Sequence, residues 1–134
     1  MTGTPEPTPK QVAELLTFLP IFENRYYQPS RIDVSVSLFC PHLWDEQLSE
    51  FVERLYTFGL IMPGFNWPEW QREAERYDLE PERLQTAPLD DVLKLLTLHV
   101  RKDRFCDGHL PLMVSKGHIA ALLHRLAVLY GEGA

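Results

Sequence analysis

One stretch, LDDVLKLLTLHVRKDRFCDG at residues 89–108, constrains the fold more than any other part of the chain. At about 100° per residue, its apolar side chains form a continuous stripe and also cover the flanks of a helix. The stripe consists of Leu89, Val92, Leu93, Leu96 and Val100. A helix that is apolar nearly all round is normally buried among other helices. We therefore predict an all-α domain built around a buried central helix at about 88–105.

Charged residues mark both ends of this helix. Asp90 and Asp91 place negative charge at the positive end of the helix dipole, and Arg101 and Lys102 place positive charge at the other end. Gly108 follows and can adopt the left-handed conformation that often ends a helix. The pattern therefore predicts where the helix begins and ends as well as its burial.

The amphipathic pattern predicts four further helices, which gives a single compact domain of about five helices over 8–131, after a disordered lead-in at 1–7. We expect these four helices to begin after the capping residues Thr8, Asp45, Asn66 and Ser115. Pro20 should end or bend the first helix, because proline disrupts a helix interior. A short loop should connect the central helix to the last one.

The sequence of residues 23–44 indicates a long irregular connection. Within it, the segment 34–38 (VSVSL) alternates between apolar and polar residues, as a half-buried strand does. No second strand is evident to pair with it, and a lone strand is not stable. Whether 34–38 forms a strand is therefore left open at the level of sequence.

Composition excludes few function classes but weighs against some. The net charge is −6 and no basic run occurs, which disfavours a nucleic-acid binder. The apolar runs are too short to span a membrane, and the polar, proline-rich first residues do not resemble a signal peptide. Two cysteines in the whole chain are consistent with reduced thiols and a cytoplasmic location.

The end of the central helix carries the most unusual chemistry. The helical count points Asp103 and Arg104 inward and places Phe105 against the stem of Arg101. A partly buried charge needs a partner, because an unpaired one is costly. This turn is therefore either an internal ion-pair lock, which we favour, or the floor of a ligand site.

The ligand-site hypothesis adds two tryptophans to this turn. Trp67 and Trp70 would share one face of the third helix and lie above Arg101, Asp103 and Arg104. Indole rings beside guanidinium groups suit an anionic or planar ligand, and Phe105 would complete the wall. The simpler interpretation is that the tryptophans belong to the core.

These residues also carry a resemblance to a known family. With FNWPEW at 65–70, Thr97, RKDRFCDG at 101–108 and Gly117 before a leucine-rich helix, the chain resembles an uncharacterised prokaryotic family described only as a domain of unknown function. The family pattern has Asp at the position of Asn66, and either residue can cap a helix. The resemblance implies a helical fold and no known activity.

Metal and nucleophile chemistry are weakly supported. Cys40, His42, Cys106 and His109 could form a Cys₂His₂ set, but their spacing is poor for a zinc site. Cys106 could pair with His99 or His109, but the negative end of a helix raises a thiol pKa. We therefore expect no metal, no cofactor and no catalytic residue.

The best functional hypothesis at this point is a small cytoplasmic interaction module that binds another protein or itself, without nucleic-acid or membrane partners. Tyr26, Tyr27 and Trp44 could form an exposed aromatic patch, since Tyr and Trp often anchor interfaces. They could equally cover the core. The alternative function is a small-molecule binding protein or enzyme that uses the turn beneath Trp67 and Trp70.

Overall fold

The computed structural model describes residues 5–35, 37–38 and 42–131. Within these residues the chain forms seven α-helices, two 3₁₀ helices and one small antiparallel sheet, which confirms the all-α class. The elements in chain order are α1 Pro9–Leu16, α2 Leu19–Glu23, β1 Ser30–Ile32, β2 His42–Trp44, α3 Glu46–Thr57, the 3₁₀ helix Trp67–Trp70, α4 Gln71–Leu79, the 3₁₀ helix Pro81–Thr86, α5 Leu89–Lys102, α6 His109–Ser115 and α7 His118–Leu129.

The central helix of the fold is α5, as predicted. Eight of its fourteen residues are buried, from Val92 to Val100, and α6 and α7 pack against it. It ends at Lys102, so the predicted last turn at 103–105 is not helical. Gly108 has a φ of +83°, the left-handed conformation expected for it, but it precedes α6 instead of directly following α5.

The first helix differs from the prediction at Pro20. Thr8 caps α1 through a reciprocal pair of hydrogen bonds with Gln11, as the sequence suggests, but α1 ends at Leu16. Pro20 then lies in the first turn of α2 instead of ending or bending the first helix. A first-turn proline is tolerated because its missing N–H would have no helical partner there.

The last helix also differs, because the predicted loop after Gly108 is itself a helix. Ser115 is the final residue of α6 and does not cap α7. Gly117, with a φ of +82°, stands at the start of α7 and lets the chain turn sharply between the two helices. The five predicted helices therefore became seven α-helices among the described residues, because α2 follows the first helix and α6 occupies the predicted loop.

The connection at 23–44 contains the small sheet. Strand β1 pairs with β2, with Ser30 opposite Trp44 and Ile32 opposite His42. Where the structure describes 34–38, the open question is answered against a strand: Val34 and Ser35 lie in a turn, and Ser37 and Leu38 belong to no strand, whereas Val36 lies outside the described residues. The strands were missed because each has three residues, too few for an alternating pattern.

The start of the domain is packed. Pro7, assigned by the sequence to a disordered lead-in, is buried, and its carbonyl accepts a hydrogen bond from the Tyr130 hydroxyl at 2.7 Å. Residues 1–4 of that lead-in lie outside the described residues. In the part of the chain that the structure describes, no single helix has the length and apolarity to cross a membrane, although α6 and α7, bent by 67°, meet the criterion as a pair.

Candidate functional site

Thr97 and Arg101, one turn apart on α5, hold the connection between α3 and the first 3₁₀ helix. The buried Thr97 hydroxyl donates to the carbonyl of Leu60 and accepts from the N–H of Met62, both at 3.2 Å. The Arg101 guanidinium donates to the carbonyls of Met62 and Pro63 at 3.4 and 3.2 Å. The partner of Arg101 is thus a loop backbone and not a carboxylate.

Asp103 joins three separate elements. Its carboxylate accepts the N–H of Leu110 in α6 at 2.9 Å and the indole N–H of Trp44 in β2. Burial raises the pKa of the Asp103 carboxyl and the nearby charge of Asp107 raises it further, while the two hydrogen bonds oppose the rise. Asp103 points inward as predicted, and its partners are neutral donors.

His42 and Asp107 form the second link between the turn and β2. Asp107 accepts hydrogen bonds from both the backbone N–H and the Nδ1 atom of His42. The imidazole lies directly on Gly108, where a Cβ would come within 3.1 Å of its Cε1 and Nε2 atoms. Gly108 is therefore needed for its backbone conformation and for this close approach.

The remaining residues of the predicted ligand site do not converge. Arg104 is exposed, so the prediction that it points inward is wrong; α5 has already ended, and the helical count no longer applies. Phe105 is 76% exposed and its ring lies against Trp67 at 6.0 Å instead of against the Arg101 stem. Trp67 is buried in the core, as the simpler interpretation held.

Trp70 belongs to a different group of side chains. Its ring lies 5.9 Å from that of Phe65, and the Lys94 ammonium lies 5.6 Å from its centre. It sits at the end of the 3₁₀ helix Trp67–Trp70, whose preceding residue Asn66 makes no capping hydrogen bond with its side chain. The two tryptophans therefore do not form one wall above the turn.

A cluster of three histidines, which we call the histidine cluster, joins α5, α6 and the start of α7. His99 Nδ1 lies 2.9 Å from His109 Nε2, and the ring of His118 meets that of His99 edge-on at 4.7 Å. His99 and His118 are buried, and the Nε2 atom of each lacks a hydrogen-bond partner among the described residues. The sequence does not reveal this cluster, because its members come from three helices.

Burial keeps the histidine cluster neutral. It lowers the pKa of His99 well below the ordinary value, and the charges that His118 and His109 would carry lower it further. Burial also lowers the pKa of His109 to about 4, with a further contribution from Lys102. The pKa of His118 is lowered by burial too, although Asp78 opposes the change.

The cysteine hypotheses gain no support from the contacts. Cys106 is an exposed free thiol, whereas Cys40 lies outside the described residues. His99, suggested as its base, is buried and pairs with His109. Over residues 5–35, 37–38 and 42–131, no group of three or more histidine, cysteine or acidic side chains is arranged to hold a metal ion.

The comparison with known proteins identifies the family. A family described as "Family of unknown function (DUF6508)" matches residues 7–132. The chain belongs to DUF6508. No curated protein and no solved structure shows significant similarity to it. The resemblance seen in the sequence is thus confirmed at the level of the family, whose description states no activity.

Among the described residues of this DUF6508 protein, four strongly exposed apolar side chains lie on the connection between α2 and α3. Tyr26, Ile32, Val34 and Leu38, which we call the apolar patch, are 76%, 67%, 59% and 78% exposed. Tyr27 and Trp44, predicted as alternatives for a patch or the core, are partly buried and pack on the core. Only Tyr26 of the predicted aromatic set stands out from the surface.

Proposed function

We propose that this DUF6508 protein is an interaction module that binds another protein or a second copy of itself through the apolar patch. The proposal includes a cytoplasmic location in a prokaryote, on the sequence grounds given above. The observation that carries it is the concentration of four strongly exposed apolar side chains on one connection of 13 residues, Tyr26 to Leu38. Exposed apolar clusters on small domains commonly mark interaction sites.

The way in which this connection is held supports the proposal. Asp103 and Asp107 bind Trp44 and His42, so the strand β2, which pairs with β1, is attached to the end of the central helix. Asp45 continues the attachment, since it accepts from the Tyr27 hydroxyl at 2.9 Å and caps α3. These bonds fix β2 and, through the pairing of β1 with β2, Ile32 of the apolar patch, which lowers the entropy cost of binding at that residue.

The alternative, an anionic or planar ligand at the charged turn, has less support. Arg101 and Asp103 already bind groups of the protein, and Arg104 points to solvent. Trp67 and Trp70 lie in different groups of side chains. The hydrogen bonds of Arg101 and Asp103 favour a structural role for these two residues over ligand binding.

The proposal can be tested by placing a photo-crosslinking amino acid at Leu38 and, as a matched control, at Leu79. Leu79 is 79% exposed but lies at the end of α4, outside the apolar patch. Both variants should be irradiated as purified protein and in an extract of the source cells. We expect a discrete crosslinked species, a dimer or a heterocomplex, from position 38 and none from position 79.

Sedimentation velocity of the wild type and of Leu38→Lys then separates the two kinds of partner. A concentration-dependent dimer that Leu38→Lys abolishes indicates self-association. A monomer at all concentrations, together with a discrete crosslink in the extract, indicates another protein. A monomer with equal or absent crosslinking at both positions would refute the interaction proposal.

A further inference from the structure

The backbone of β1 presents an open edge. In an antiparallel pair, hydrogen-bonded and non-hydrogen-bonded positions alternate. The N–H of Asp45 donates to the carbonyl of Pro29 at 2.8 Å, and the register continues with Arg31 opposite Leu43. Arg31 therefore faces β2 with its N–H and carbonyl, whereas Ser30 and Ile32 turn theirs to the other side.

The two edges of the sheet differ in the hydrogen bonding of their outward N–H groups. On β2, the outward N–H of His42 is bound by the Asp107 carboxylate, so the charged turn occupies this edge. On β1, the outward N–H groups of Ser30 and Ile32 have no partner among the described residues. Arg31 and Ile32 are exposed as well. Unpaired N–H and carbonyl groups at a strand edge can bind another strand, and the short length and the charge of β1 restrict which strand fits.

We infer that β1 binds an extended segment of another protein by strand addition, with an acidic residue of that segment opposite Arg31 and apolar residues on either side of it. This inference rests on the proposed interaction function and specifies its partner. The main-chain groups of Ser30 and Ile32 would supply the hydrogen bonds, and Ile32 and Val34 would supply apolar contact. Strand addition is a recurrent mode of peptide recognition.

Charge disfavours a second copy of this chain that pairs with this edge about the middle of β1. A two-fold axis through the middle of β1 would pair Ser30 with Ile32 of the copy and would place the two Arg31 side chains opposite each other. Like charges directly opposite on neighbouring strands are destabilising, whereas opposite charges stabilise the pair. A two-fold axis through Ile32 would instead place Arg31 opposite Asp33 of the copy, but Asp33 lies beyond the end of β1 and its carboxylate already accepts hydrogen bonds from Ser35. These hydrogen bonds lower the pKa of Asp33, and the charge of Arg31 lowers it further. Arg31 makes no ion pair within 4.0 Å among the described residues, which leaves room for the carboxylate of a partner opposite it.

The test uses a capped peptide, Thr-Val-Glu-Val-Thr, and a matched peptide with Lys in place of Glu, each titrated into the ¹⁵N-labelled full chain. We expect the Glu peptide to shift the amide signals of Ser30 and Ile32 and to slow their hydrogen exchange. Since a cross-strand charge pair has a modest effect, the Lys peptide should bind more weakly than the Glu peptide by up to about threefold. Arg31→Glu should reverse the order of the two peptides.

A proline variant tests the backbone requirement. Ile32→Pro removes an outward N–H without removing a hydrogen bond of the β1–β2 pair, so the domain should keep its melting temperature but lose the peptide shifts. Ile32→Val keeps the N–H and should keep binding. If Ile32→Pro unfolds the domain, the reversal by Arg31→Glu, which leaves the backbone intact, decides the question.

The failure of this inference differs from the failure of the interaction proposal. If Leu38 crosslinks to a partner but neither peptide perturbs Ser30 or Ile32, strand addition is wrong and the interaction function stands. If the peptides bind with equal affinity to wild type and to Arg31→Glu, the assignment of an acidic partner is wrong. If neither position 38 nor the strand edge shows any binding, both proposals fail.

Discussion

At the scale of single residues, the charged side chains Arg101 and Asp103 make hydrogen bonds to neutral groups of the protein. Asp103 does not meet a guanidinium; it meets the N–H of Leu110 and the indole of Trp44. Arg101 does not meet a carboxylate; it meets two carbonyls. Arg101 and Asp103 therefore attach other segments to the end of α5 through hydrogen bonds to neutral groups, and neither makes an ion pair among the described residues.

The first prediction compares Asp103→Ala with Arg104→Ala in urea unfolding. Asp103→Ala leaves the Leu110 N–H and the Trp44 indole without their acceptor, so we expect a loss of about 2 kcal/mol in the free energy of unfolding. Arg104 is exposed, and its removal should change that free energy by less than about 0.5 kcal/mol. Asp103→Asn, which keeps one acceptor oxygen, should lose less than Asp103→Ala. An equal loss in the two alanine variants would contradict the contacts described.

The second prediction concerns Gly108. In Gly108→Ala the residue keeps a φ of +83°, which is unfavourable for alanine, and its Cβ comes within 3.1 Å of a ring that Asp107 holds in place. We expect a loss of about 2 kcal/mol in the free energy of unfolding. Gly64→Ala is the control, since a Cβ there has no neighbour within 4 Å. Urea unfolding with similar midpoints for the two variants would rule out the proposed role of Gly108.

At the scale of secondary-structure elements, patterns that extend over several helical turns predicted the structure correctly, whereas patterns of only a few residues did not. The stripe from Val92 to Val100 extends over several turns, so burial of α5 followed from it directly. Helices α2 and α6 have five and seven residues, and both contain a proline in or near the first turn. A proline alone does not show whether it ends one helix or begins another. The strands are shorter still, and their pairing depends on contacts distant in sequence.

The histidine cluster lies at the junction of three elements and leads to the third prediction. Each member has a pKa below its ordinary value of 6.5 in the folded state, because burial disfavours the charged ring. The unfolded chain therefore binds more protons than the folded one at acidic pH. This difference makes the free energy of unfolding fall as the pH falls below about 6.5. Above that pH the free energy of unfolding is fully retained.

Urea unfolding of the wild type, His99→Leu and His124→Gln between pH 7.5 and 5 measures this effect. A histidine that is charged only in the unfolded state contributes a slope of up to about 1.4 kcal/mol per pH unit. His99→Leu removes the most buried member and should flatten the slope. His124, which is exposed and pairs with Glu23, serves as the control and should leave the slope nearly unchanged. Parallel curves for wild type and His99→Leu would show that burial of His99 does not govern the acid response.

At the scale of the whole molecule, the fold class followed from the sequence, whereas the geometry of the candidate site did not. The β1–β2 sheet is attached to the end of α5 by His42 and Trp44, across more than 50 positions of sequence. Such attachments depend on where loops return, which helical periodicity does not encode. The exposed turn at Arg104 illustrates the limit: the count along a helix is valid only while the helix continues, and α5 ends at Lys102.

The last prediction concerns the contact that joins the two ends of the domain. The Tyr130 hydroxyl donates to the carbonyl of Pro7 at 2.7 Å, and α1 packs against α7. Tyr130→Phe keeps the ring but loses this hydrogen bond, so the free energy of unfolding should fall by about 1 kcal/mol. Because the contact closes nearly the whole chain, we expect it to form after the folding transition state, so that the variant unfolds about fivefold faster and folds at an unchanged rate. Stopped-flow kinetics in urea measure both rates, with Tyr56→Phe, whose side chain is 46% exposed, as the control. A slower folding rate in Tyr130→Phe would instead place the meeting of the chain ends early in folding.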